Sequence, residues 1–86
     1  MVNRLPTLFR ILGYVLYFWS NEGQEPIHIH IGKGMPSHND TKVWIEPLVH
    51  LAHNKGKIPP KDLNRLLQFI SLNKELIMEE WNHHFS

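Results

Sequence analysis

His28 and His30 stand two apart in the stretch PIHIHIGKG, with Ile27, Ile29 and Ile31 in the alternate positions. Residues two apart on a β-strand project from the same face with Cα atoms about 6.5–7 Å apart, close enough for two rings to grip one metal ion or one phosphate. Imidazole has the side-chain pKa nearest neutrality, so the pair could also serve as base and acid in RNA cleavage. If the three isoleucines face the core, the two rings must look the other way, into solvent or into a cleft beneath another element. The plainer alternative is two polar residues on the exposed side of an antiparallel strand.

The neighbours bear on each reading. Asn21, Glu22 and Glu25 precede the pair in a polar loop; the carboxylates could orient an imidazole, as outer carboxylates do around metal-bound histidine. Arg10, Lys33 and Asn21 are the candidates for holding phosphate or substrate. Two histidines are too few for a metal, because catalytic zinc takes about three protein ligands and structural zinc about four. Glu25 is the local third ligand, and His38, His50 or His53 would serve only if the fold brought them near. No cofactor is called for by the sequence, although a divalent metal is compatible with the pair. His83 and His84 suit the carboxyl end of a helix, where positive charge is favoured. The chain has no cysteine, hence no disulfide and no thiolate zinc site. It also lacks a GxSxG elbow and Walker spacing around Gly32 to Gly34.

The elements that must position these residues can be read from periodicity. LFRILGYVLYFWS gives two β-type runs split by Gly13, and the second is apolar on both alternations. Ser20, Asn21, Gly23 and Pro26 mark a loop, and Ile27 to Lys33 a third strand. A second polar stretch from Gly32 to Asp40 leads into TKVWIEP, which alternates as a fourth strand. Pro47 then predicts the start of a short helix with Leu48, Leu51 and Ala52 on one face, which would also place His50 and His53 on a similar face. Pro59 and Pro60 open the last element. Leu63, Leu66, Leu67 and Ile70, continued by Ile77, Trp81 and Phe85, form one stripe, read as a helix of about 25 residues or as one broken near Ser71 to Asn73. The expectation is α+β: an antiparallel four-stranded meander followed by a short and a long helix on one face, in a single domain over residues 1–86.

Composition sets the outer limits. The 86 residues carry nine Lys and Arg against eight Asp and Glu, a formal net charge of +1, which implies no bulk attraction to nucleic acid. No apolar run approaches the roughly 18 residues of a membrane span, and MVNRLPTLFRIL is a poor signal peptide; a cytoplasmic protein is expected. Tyr17, Trp19 and Trp44, with Tyr14 and Phe18, could form an aromatic face for bases or a partner chain. Covering so much apolar sheet is hard for one small domain, which favours a homo-oligomer or a partner protein.

The order PTLFRI, YFWSNEG, EPIHIHIGKG, VWIEP, LAHNKG, PKDLNRL and EEWNHHF resembles the bacterial domain of unknown function 4160 family, from Pro6 to Phe85. The resemblance singles out Arg10, Ser20, Asn21, Glu22, Pro26, His28, His30, Gly34, Trp44, Gly56, Trp81 and Asn82. It implies a small cytoplasmic bacterial protein encoded beside another small domain, in an arrangement similar to toxin and antitoxin gene pairs. The functional expectation is partner binding, with RNA-directed activity at the His pair as an addition. Two alternatives stand beside it: a ribonuclease using His28 and His30, and a noncatalytic metal-binding module.

Overall fold

The computed structural model describes residues 7–86; Pro6 and the first part of the stretch read against a signal peptide lie outside them. Five strands form one antiparallel sheet in chain order: β1 (Thr7–Ile11), β2 (Tyr14–Tyr17), β3 (His28–Gly32), β4 (Thr41–Trp44) and β5 (His50–His53). Two helices follow, α1 (Pro60–Leu72) and α2 (Lys74–Phe85). This is the expected α+β meander with one more strand than the sequence suggested.

The extra strand replaces the predicted short helix. His50 pairs with Trp44 and His53 with Lys42 in the β4–β5 ladder. A segment this short cannot pay the nucleation cost of a helix alone, whereas the outer edge of β4 offers ladder partners at once. The leucines that looked like a helical stripe are largely left outside: Leu48 and Leu51 are exposed.

β1 and β2 are joined by Leu12 and Gly13, both at positive φ (55° and 80°), as the two-residue hairpin turn that matches strand twist requires. Glycine accepts that conformation freely; leucine does so at a cost of about 1 kcal/mol. Leu12 is 46% exposed, so little packing is at stake. Leu12→Asn is therefore expected to raise the thermal midpoint by roughly 4–8 °C, measurable by circular dichroism; a lower midpoint would show that Leu12 packs in a way its exposure does not suggest.

One face of the sheet carries the apolar core. Leu16 and Thr41 flank Ile31, and Val43 flanks Ile29; these join Tyr14, Ile45 and Ile58 under Leu66 and Ile70 of α1 and Ile77 of α2. The long helical stripe breaks at Asn73, the second of the two sequence-based alternatives. Asn73 has φ −110° and its side-chain amide donates to the Phe69 carbonyl (2.8 Å), competing locally with the helical ladder. The stripe still works as read: Leu66, Ile70, Ile77 and Trp81 are the buried helical residues.

Candidate metal site on the second face of the sheet

The isoleucines behave as predicted in one respect and not in another. Ile29 and Ile31 face the core, so His28 and His30 share the opposite face, but every residue of β3 is buried, His28 at 0% and His30 at 8% exposure. Of the two outcomes the sequence leaves open, the pair lies beneath other elements and not in solvent. β3 is the central strand, and the two polar stretches that flank it in sequence fold over its second face.

The first covering stretch supplies a carboxylate. Glu22 is fixed by a turn in which its N–H donates to the Trp19 carbonyl (3.3 Å) and its Oε1 accepts from the Trp19 N–H (3.2 Å). The same Oε1 lies 2.9 Å from His28 Nε2 and 3.0 Å from His30 Nε2. One ligand atom from each of Glu22, His28 and His30 falls within 4.8 Å of the others. Glu25, the sequence's candidate for the third ligand, instead pairs with Lys42 (2.7 Å). The sequence offers Glu22 as a residue that orients an imidazole or completes a metal shell and cannot choose, because five residues separate it from His28 and nothing local shows that the turn doubles back.

The second covering stretch braces the same layer. Tyr17, opposite His30 in the β2–β3 ladder, stacks on the His30 ring at 5.5 Å and donates to Asp40 Oδ2 at 2.6 Å. Burial, together with the Asp40 carboxylate, raises the phenol far above its usual range. Asp40 also accepts from the Ser37 N–H (3.1 Å) and lies against Gly32 so closely that a Cβ there would sit 2.2 Å from Oδ2. Gly32→Ala must displace that carboxylate and strand a buried Tyr17 hydroxyl. A loss of about 2–3 kcal/mol is expected, read as a lowered urea midpoint; an unchanged midpoint would mean that the loop yields without breaking the Tyr17–Asp40 bond.

The electrostatics of the cluster suit coordination. Burial works to raise the Glu22 carboxyl, but the two imidazoles beside it win and hold it below its ordinary value. Burial pushes His30 down despite the Glu22 carboxylate, favouring the neutral imidazole that a metal requires. His28 is more tightly defined. Its Nδ1 is 2.8 Å from the Pro26 carbonyl oxygen, which can only accept, so Nδ1 carries the proton. Its other nitrogen, Nε2, is aimed toward the Glu22 carboxylate. The 2.9 Å approach does not have hydrogen-bond alignment, and among the described residues His28 Nε2 is the buried side-chain nitrogen or oxygen with no hydrogen-bond partner.

The other candidates fall elsewhere. Lys33, beyond the Gly32 end of β3, sits over the Tyr14 ring (4.7 Å) and lines a cavity of about 300 Å³ with Asp40, Gly56 and Lys57. Arg10 is exposed on β1, two strands from β3, and Asn21 is exposed in the turn beside Glu22. His38 stacks on Trp19 at 5.1 Å, while His50 and His53 lie on β5. Tyr14, Tyr17 and Phe18 are buried, which corrects their reading as a docking surface; Trp19 and Trp44 keep part of their surface. As acid or base toward RNA, His28 has no exposed surface to work through. Trp44 (5.5 Å) and Trp81 (5.1 Å) meet its ring edge-on.

Fold and site together define a small α+β domain whose sheet carries a buried two-histidine, one-carboxylate cluster. The chain belongs to the family described as a domain of unknown function (DUF4160), whose profile matches residues 13–82. No curated protein and no solved structure matches it.

Proposed function

We propose that this chain is a noncatalytic metal-binding module in which Glu22, His28 and His30 hold one divalent transition ion. The observation that carries the reading is the buried Nε2 of His28, its ring held by the Pro26 carbonyl and its nitrogen 2.9 Å from Glu22 Oε1 without an aligned hydrogen bond. A histidine that donates its second ring nitrogen to a backbone carbonyl is the usual arrangement of a metal ligand. Two nitrogens and one carboxylate oxygen suit zinc, cobalt, nickel or iron and not magnesium or calcium, which prefer oxygen throughout. Metal–ligand bonds of about 2.0–2.2 Å put tetrahedral ligands about 3.4 Å apart, so the 2.9 and 3.0 Å separations between Glu22 Oε1 and the two nitrogens need open by only a few tenths of an ångström to take an ion.

The ion would fasten the Trp19–Pro26 loop to the central strand, holding the half-buried Trp19 and Trp44 in place. That surface supports the wider proposal that the protein acts in the cytoplasm by binding another protein, from a neighbouring gene or a second copy, in a pair resembling toxin and antitoxin. Sealing of His28 weighs against the ribonuclease alternative. Equilibrium dialysis of protein without a polyhistidine tag against zinc, followed by elemental analysis, tests the metal reading. One ion per chain is expected, and protein that emerges metal-free overturns it.

A further inference from the structure

Resting on that reading, we infer that the bound ion keeps a coordination position open to the outside, and that this position takes a monodentate carboxylate from beyond the chain. Three protein ligands leave a divalent transition ion at least one short of its usual complement. Among the described residues, no further histidine, aspartate or glutamate brings a ligand atom into the Glu22, His28 and His30 group. Glu25 is paired with Lys42 at 2.7 Å, and His38 is stacked on Trp19. His50 and His53 lie on β5, separated from β3 by β4.

The direction of approach follows from exposure. His28 is closed off completely, whereas the Glu22 and His30 side chains keep 17% and 10% of their surface. A ligand from outside therefore reaches the ion past Glu22 and His30.

Charge selects its class. A divalent ion with one carboxylate and two imidazole ligands carries a net charge of +1 in a largely desolvated setting, and the Lys42 ammonium, paired with Glu25, takes none of that surplus away. An anion cancels the surplus, and a hard oxygen donor matches the carboxylate already present. A carboxylate does both.

The experiment uses the wild-type protein loaded with cobalt(II), whose visible absorption reports ligand number and identity. Acetate is titrated in at constant ionic strength against sodium chloride. A saturable shift of the cobalt bands with acetate is expected. Bands that stay fixed while cobalt remains bound overturn the open position, and bands that move equally with chloride overturn the preference for carboxylate. Failure of cobalt to bind at all overturns the metal reading instead. Sedimentation of the same samples separates the sources of the donor. A cobalt-loaded dimer that acetate splits places the carboxylate on a second copy, and a monomer throughout that still shows the band shift places it on a free acid or a different protein.

Discussion

Glu22→Gln is expected to weaken zinc binding by roughly 100-fold or more, since even outer groups around a metal contribute 10–100-fold, while leaving the metal-free protein about as stable as the wild type. The two halves of this result come from one geometry. A single oxygen, Glu22 Oε1, faces both ring nitrogens and accepts from the Trp19 N–H, so an amide oxygen in that place keeps the His30 and Trp19 contacts while the negative charge that a metal ion needs is gone. The opposite outcome is just as readable. If the cluster were a carboxylate bridging protonated imidazoles, removing its charge would leave buried cations unpaired at a cost of about 3–5 kcal/mol. Calorimetric titration with zinc and urea unfolding in chelator, on the same two proteins, separate the cases.

Trp81→Ala is expected to cost about 3–5 kcal/mol, a large part of the roughly 4–13 kcal/mol that a domain of this length commands. Trp81 is 4% exposed and packs against Phe18 (5.0 Å), Phe85 (4.5 Å) and His28 (5.1 Å). It therefore joins the end of α2 to the cluster. Loss of the indole opens a cavity beside His28 and frees Phe85, whose ring lies so close to Gly23 that a Cβ there would sit 2.5 Å from Cδ1. The Glu22 turn should loosen as a result. Chemical unfolding gives the size of the effect, and a loss under 1 kcal/mol would show that α2 docks without this side chain.

Periodicity told the truth about what each strand shares a face with. The alternation from Ile27 to Ile31 places both histidines together, the run from Tyr14 to Trp19 allows a strand covered on both faces or one with an aromatic patch on its second face, and the spacing from Leu63 to Trp81 marks the helical residues that are buried. Exposure was a different matter. Whether His28 and His30 met water depended on where two polar loops would lie, and glycine-rich, asparagine-rich loops carry turn preferences without a destination. For the same reason Glu22 could be suspected and not assigned. At Pro47 to His53 a seven-residue apolar pattern fits a helical face and a strand equally well, and the deciding factor was the unpaired edge of β4, which no local pattern reveals. Tyr17 shows the limit most plainly: as an aromatic on a sheet it could be core or docking surface, and only its bond to Asp40, 23 residues away, decides.

The most direct test of the metal reading is a crystal of the untagged protein grown with zinc and measured on either side of the zinc absorption edge. The account predicts one strong anomalous peak between Glu22 Oε1, His28 Nε2 and His30 Nε2, about 2.0–2.2 Å from each. Peaks confined to surface histidines such as His83 and His84, with Glu22 still in contact with both rings, would contradict it.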